Sequence, residues 1–350
     1  MPTTYAVPDG RVAMAATLYT GNGSTQTISN AVNGVSFQPD FIWFKGRNQI
    51  TNHLAQDVIR GAGYGLNPNA TNAEANGVGT GLTAFGSGGF SLSGDFSGAG
   101  SCNSNTFTYV GWQWKAGGTA VSNTAGTITS SVSANPTAGF SVVTYTGNGT
   151  NGATVGHGLG VAPKLLIVKN RSVITSWPVY HGSFASGSNY MFLESTSAVL
   201  SNNTVWNGTV PGATTFTIGT DVIVNTNTNT YVAYCWAPVA GYSAFGSYTG
   251  NGSTDGPFVY TGFRPRWIMA KASVGGTENW YVYDTARDTY NYASLGLLPN
   301  LSNAETNYGQ IDILSNGFKM RGVGSSWNAS AVTYIYAAFA ENPLKYANAR

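Results

Sequence analysis

Tyr19-Thr20-Gly21-Asn22-Gly23 is written three times in this chain, returning as Tyr145-Thr146-Gly147-Asn148-Gly149 and Tyr248-Thr249-Gly250-Asn251-Gly252. Each copy is followed by a proline, a run of four mostly apolar residues and a lysine: Pro39 to Lys45, Pro163 to Lys169, Pro265 to Lys271. Each unit then closes on a Thr-Tyr-aliphatic segment, Thr108-Tyr109-Val110, Thr230-Tyr231-Val232 and Thr333-Tyr334-Ile335, 67 to 69 residues beyond its proline. The period is that of a small domain, so the 350 residues read as three tandem units.

The apolar runs Phe41-Ile42-Trp43-Phe44, Leu165-Leu166-Ile167-Val168 and Trp267-Ile268-Met269-Ala270 suit a central strand covered on both faces, and the proline can start such a strand but not sit inside it. The closing segments Tyr109 to Trp114 and Tyr231 to Trp236 mix aromatic and small residues in partial alternation, the pattern of strands with one face on a core. Phe90-Ser91-Leu92, Phe216-Thr217-Ile218 and Phe318-Lys319-Met320 mark a further strand in each unit. With 9 Trp, 20 Tyr and 16 Phe, and 46 Gly to punctuate them, the composition favours strands and turns and argues against disorder.

The expected fold is therefore all-β: three tandem antiparallel β-sandwich units of concanavalin or jelly-roll type, over residues 16–116, 140–238 and 239–350. Residues 1–15 lie outside the repeats and are the candidate attachment segment. The stretch 117–139, rich in Gly, Ser, Thr and Ala, is a linker or an arm that adds an edge strand. The junction Ala237 to Ala244 is too short for free movement, so the second and third units should pack as a pair. Helix is confined to short surface turns near Asn72-Ala73-Glu74 and Asn303-Ala304-Glu305.

Only 16 basic and 14 acidic residues are present, and the net charge of +2 gives no electrostatic reason to bind nucleic acid or an anionic membrane. No stretch approaches the apolar length of a membrane helix, and residues 1–10 lack the basic region and apolar core of a cleaved signal, so synthesis in a cytosol without export is expected. Cys102 and Cys235 sit at different places in their units and read as free buried thiols.

The Asn-Gly pairs satisfy the glycosylation sequon, but they read as tight hairpin turns, for which Asn-Gly supplies positive φ. Asp57-x-x-Arg60 and Asp284-x-x-Arg287 recur in the first and third units, with Tyr180-His181 in that region of the second; a structural ion pair or turn is favoured over catalysis. Trp177 and Trp280 align with His53. A core or inter-sheet anchor is the plainer reading of the two indoles, and an exposed platform for stacking a glycan is the alternative that makes them the candidate ligand-binding residues. The acidic residues form no distinctive pair for glycoside hydrolysis. His53, His157 and His181 have neither a nucleophile elbow nor metal-ligand spacing around them, and Gly86 to Gly89 does not open a helix as a phosphate loop would. No catalytic residue, metal site or cofactor is expected.

Several strings together resemble a family of tailed-bacteriophage virion proteins, described as tail-fibre or appendage proteins and as phage structural proteins. They are the Tyr-Thr-Gly-Asn-Gly opening, Phe37-Gln38-Pro39-Asp40-Phe41-Ile42-Trp43-Phe44-Lys45, Gly156-His157-Gly158-Leu159-Gly160-Val161-Ala162-Pro163-Lys164, and the ending Tyr334-Ile335-Tyr336-Ala337-Ala338-Phe339-Ala340-Glu341-Asn342-Pro343. The resemblance covers nearly the whole chain. It implies a non-enzymatic virion component, assembled in the host cytoplasm, with other virion proteins of the tail or capsid as partners and a host-surface glycan as the ligand to test. Virion parts occupy symmetric positions, which favours a homo-oligomer. The missing shaft keeps a capsid decoration protein or head fibre as the alternative, and a polysaccharide-degrading enzyme is a remote one.

Overall fold

The computed structural model of the chain describes residues 5–96 and 101–340. The fold is all-β, and the paired strands are antiparallel throughout. Apart from Phe96, which is 3-10, helix among the described residues is limited to the four-residue turns Asn203–Trp206 and Ser325–Asn328 and a 3-10 turn at Gly10–Val12. The tripeptides at Asn72 and Asn303, read from sequence as helical turns, are instead irregular extended chain. Their backbones are held from outside: Glu74 donates to Arg171 O, and Glu305 to Arg47 O.

Three sets of four strands share one order: opening, closing, proline, fourth. The opening strands are Met14–Thr20, Phe140–Thr146 and Ser243–Thr249. The closing strands are Thr108–Trp114, Thr230–Trp236 and Thr333–Ala340. The proline strands are Phe41–Gly46, Leu165–Asn170 and Pro265–Val274, and the fourth strands Leu54–Asp57, Pro178–His181 and Tyr281–Asp284. The middle sheet grows to eight strands, because Val121–Asn123 and Ser130–Asn135 extend it beyond its opening strand and two further strands lie beyond the fourth. Residues 117–139 thus contribute a two-stranded arm to that edge. Each of the three phenylalanine strands lies in a second sheet or ribbon, of three strands in the first unit, two in the second and four in the third.

The closing strands differ from the expectation of one buried face, since they are buried on both. Strand periodicity explains how. In the first unit Val110, Trp112 and Trp114 point into a core shared by all three units, while the alternate position Gly111 lies against Ile42, Phe44 and Phe90. In the second, Val232, Tyr234 and Trp236 join the shared core, and Tyr231, Ala233 and Cys235 face the unit's own interior. The proline strands divide in the same way: Phe41 and Trp43, or Leu165 and Ile167, go to the shared core, and Ile42 and Phe44, or Leu166 and Val168, go to the local one. Cys102 and Cys235 are free and buried in separate local cores.

The recurring pentapeptide has a geometric reason. Its tyrosine stacks on the tyrosine of the closing strand, with ring centroids 5.2 Å apart for Tyr19–Tyr109, 5.0 Å for Tyr145–Tyr231 and 5.1 Å for Tyr248–Tyr334. A Cβ on the first glycine would run into a carbonyl oxygen, that of Ser104, Thr226 or Ala329. The second glycine sits at φ of +67°, +69° or +67°, and the asparagine Oδ1 between them accepts the N–H two residues on. The turn is real, but it is not the tight hairpin expected: only the glycine has positive φ, and the chain passes from one sheet to another instead of folding back on its neighbour.

Residues 5–15, expected to be a separable attachment segment, are part of the fold; residues 1–4 lie outside the described residues. Val7, Ala13 and Met14 are buried in the shared core, Met14 and Ala15 begin the opening strand, and Tyr5 packs against Gly241. Deleting this segment would therefore remove core side chains and the first two residues of the opening strand.

Gly147→Ala is expected to lower unfolding free energy by about 1–3 kcal/mol, since the Thr226 carbonyl has no room to withdraw. Gly34→Ala, a positive-φ site with open space around it, should cost less. Urea titration of both variants checks the order.

Candidate functional site: a ring of buried seams

The Asp-x-x-Arg pairs, His53 and His181 lie where one unit meets the next, and the meetings follow a cyclic order; His157 bonds within its own unit. At the first seam the fourth strand of the first unit presents Asp57. Arg60 Nε donates to Asp57 Oδ2 at 2.5 Å, and Tyr234 of the second unit's closing strand donates its hydroxyl to the same carboxylate at 2.9 Å. At the third seam Arg287 Nε donates to Asp284 Oδ2 at 2.6 Å, and Trp112 of the first unit's closing strand donates its indole N–H there at 2.9 Å. Tyr234 and Trp112 occupy the same place in their strands, three residues after the closing tyrosine.

Each arginine is also tied to a glutamate that reaches across its seam. Glu74 pairs with Arg60 at 3.0 Å and with Arg171 of the second unit at 2.7 Å. Glu305 pairs with Arg287 and with Arg47 of the first unit, both at 2.9 Å. The second seam replaces this set with neutral groups. His181 stands where the aspartates stand, opposite Leu165 as Asp57 is opposite Phe41, and Phe184 takes the arginine's place three residues on. His181 Nε2 bonds Tyr336 O of the third unit at 3.0 Å, and the backbone bridge is Val199 to Ser273 O.

Trp177 and Trp280, the candidate glycan-stacking residues, are each 1% exposed and cannot stack a sugar. They are seam anchors: Trp177 Nε1 donates to Asn67 O and Ala70 O of the first unit, and Trp280 Nε1 to Phe192 O of the second. His53, which aligns with them, bonds Leu298 O of the third unit at 2.9 Å and completes the cycle. The plainer reading of these indoles, as inter-sheet anchors, is what the geometry gives.

Sequence reasoning missed the lysines of the proline strands, two of which reach across a seam. Lys169 Nζ donates to Thr71 O of the first unit at 2.9 Å, Lys271 to Thr196 O of the second at 2.9 Å, and Lys45 to the adjacent Gly46 O at 2.7 Å. Lys169 and Lys271 each lie over their own unit's seam indole. Burial pushes all three downward, to about 7 for Lys45 and Lys271 and about 8 for Lys169. The signal was present: in a chain so poor in charge, a lysine closing an apolar run at one place three times invites the question of what it touches.

The three histidines share one tautomer. Nδ1 accepts in each, from Trp43 Nε1 for His53, from Leu159 N for His157 and from Ser183 N for His181, so Nε2 carries the proton and donates to a carbonyl. Burial lowers all three, His181 to about 4. Protonating Nδ1 would set two N–H groups face to face.

These groups are committed to one another. Asp57 and Asp284 are fully enclosed with their arginines, and each of Glu74 and Glu305 binds two guanidinium groups. Burial pushes the Cys235 thiol up to about 12 and the Cys102 thiol further, away from nucleophilic thiolate. No cluster of three metal-ligating side chains occurs among the described residues. A shallow cleft of about 350 Å³ beside the arm is lined by hydroxyls of Ser122, Thr129, Ser131 and Thr144, and its cation, Arg171, is the one already paired with Glu74. No helix of the described residues is long and apolar enough to cross a membrane.

Two outcomes are expected. Arg287→Met should cost about 3–5 kcal/mol at pH 7 by stranding Asp284, read by denaturant unfolding. His181 has a folded-state value below its unfolded one, so its contribution is complete above about pH 6.5 and lost as pH falls toward about 4. A His181→Gln chain should accordingly show a shallower loss of stability between pH 6.5 and 4 than the parent.

No curated protein matches the chain, and no solved structure does. A family model does, the domain of unknown function DUF7483, over residues 12–343, which takes in all three seams. The chain belongs to the DUF7483 family.

Proposed function

We propose that this chain is a non-enzymatic structural component of a tailed-bacteriophage virion, a tail fibre or tail appendage built of three tandem β-sandwich repeats. The observation that carries the reading is where the charge goes. In a chain with 30 charged residues, those that could supply acid, base or anion-binding chemistry at the seams are spent on holding one unit to the next. The Asn-Gly-Ser or Asn-Gly-Thr loops remain exposed and neutral. Such a surface suits permanent assembly: few long side chains must be ordered when another subunit docks. The sequence strings that resemble phage virion proteins supply the particle to which the reading assigns it.

A capsid-bound decoration protein is the second reading, and the seams favour it in one respect: units that close on each other form a compact body, not a shaft. Purified particles, split into heads and tails and digested for mass spectrometry, decide between the two. Peptides of this chain in the tail fraction are the expected result. Peptides confined to heads would make it a decoration protein, and their absence from washed particles would overturn the virion assignment.

A further inference from the structure

The middle unit shows what belongs on an opening strand's outer edge, and the other two units lack it. In the middle sheet Ser130–Asn135 pairs antiparallel with Phe140–Thr146, setting Ser131 opposite Thr144, Val132 opposite Val143 and Ser133 opposite Val142. In the first and last sheets the equivalent strands, Met14–Thr20 and Ser243–Thr249, are terminal, with no strand beyond them among the described residues.

The phase of each ladder says which backbone groups face outward. In the middle unit the flanking bonds Gly147 to Asn229 O and Ala237 to Gly139 O assign the odd residues to the closing strand, which leaves Val142 and Thr144 to the arm. In the first unit Gly21 donates to Phe107 O and Lys115 to Ala13 O, so Leu18 turns its N–H and C=O outward. In the last unit Gly250 donates to Val332 O and Ala340 to Tyr242 O, so Phe245 and Ser247 do the same. The side chains report the same opening. Thr17 and Tyr19 are half-buried and Leu18 is 38% exposed, whereas Val143 and Tyr145, at the places of Thr17 and Tyr19, are buried.

Sheet edges in soluble proteins are normally blunted by charge, proline or a bulge. Met-Ala-Ala-Thr-Leu-Tyr-Thr and Ser-Ala-Phe-Gly-Ser-Tyr-Thr contain no charge and no proline, and both pair in unbroken register. The described residues hold no spare strand for them: Gly10–Val12 is a 3-10 turn, and Val239 to Ser243 is a tight turn leading into the strand.

We propose that the outer edges of Met14–Thr20 and Ser243–Thr249 are docking sites for an extended strand from a partner chain, by β-augmentation, and that its chemistry is that of this protein's own arm: uncharged, with serine alternating with small aliphatic residues. The main chain supplies the affinity, and the small side chains fit beside the recurring tyrosine as Ser130 does beside Tyr145. The inference stands whether or not the partner belongs to a virion.

The probe is a synthetic peptide of residues 127–136, used with the full chain at millimolar concentration and, separately, joined to its N-terminus by a Gly/Ser linker that holds a comparable effective concentration. The readout is residue-resolved amide hydrogen exchange. In the dilute chain alone Leu18 and Ser247 should exchange freely while Thr144 is protected. With the peptide, exchange at Leu18 or Ser247 should slow at least about tenfold, the mark of a new main-chain hydrogen bond. Leu18→Pro and Ser247→Pro remove only an outward N–H, so each should abolish the slowing at its own edge and leave the melting temperature within a few degrees.

Three results would overturn the proposal. One is no slowing at either edge even with the tethered peptide. Another is protection of both Leu18 and Ser247 in the dilute chain without peptide, which would mean that the chain covers its own edges. The third is protection that appears only as the protein is concentrated, which would put a second copy there instead of a partner strand.

Discussion

Three closing strands cannot each be buried on both faces unless each unit lends its neighbours a wall. That constraint organises the rest of the molecule. Trp114, Trp236 and Phe339 take the same place in their strands and meet in the shared core, with Trp114 5.9 Å from Trp236, 5.7 Å from Phe339 and 5.4 Å from Trp267. Rings of this size dominate the apolar area a fold removes from water, at roughly 25 cal/mol per Å². The indole N–H groups of Trp114, Trp236 and Trp267 find no acceptor there. The cost of those unmade bonds implies that shape and area, more than polarity, selected tryptophan at the centre.

Around that core the seams add specificity. A buried ion pair contributes little net stability over a well-packed apolar pair, but it penalises any arrangement that separates the partners. The first and third seams carry the Asp-Arg-Glu-Arg set, and the second carries His181, Phe184, Val199 and Ser273 in the same places. The inequality gives the chain a way to tell its interfaces apart. A unit offered to the wrong neighbour would leave Glu74 or Glu305 without its second arginine, and Asp57 or Asp284 without the hydroxyl or indole donor from the facing strand. It also leaves the second seam as the one whose side-chain contacts change when His181 is protonated.

How much of this was legible depended on whether a signal was local. The pentapeptide marked the turn because two glycines and an asparagine must follow one another for local reasons, a blocked Cβ and a positive φ. The all-β fold and the proline strands followed from continuous apolar runs. The closing strands hid their second buried face, because Gly111 and Ala233 are small enough to look like solvent positions while Trp112 and Tyr234 carry the pattern. Asp57 and Arg60 announced an ion pair by spacing alone, but Tyr234, 174 residues from Arg60, did not. Nothing in the order of the strands along the chain says which closing strand each fourth strand will meet. Trp177 and Trp280 pointed two ways for the same reason: an indole that anchors a seam and one that offers a platform have identical letters. Their alignment with His53 was the available clue, since a histidine is a poor substitute for a stacking surface and a good one for a donor to a carbonyl.

If the shared core governs stability, the three units cannot unfold one at a time. Differential scanning calorimetry of the whole chain near neutral pH tests this most directly. The account predicts one transition, with a calorimetric enthalpy on the order of 200 kcal/mol that equals the van't Hoff value, and Trp114→Ala should move it downward as a single peak. Two or three resolved transitions, or a van't Hoff enthalpy near a third of the calorimetric one, would contradict it, because each unit would then hold its own closing strand without its neighbours.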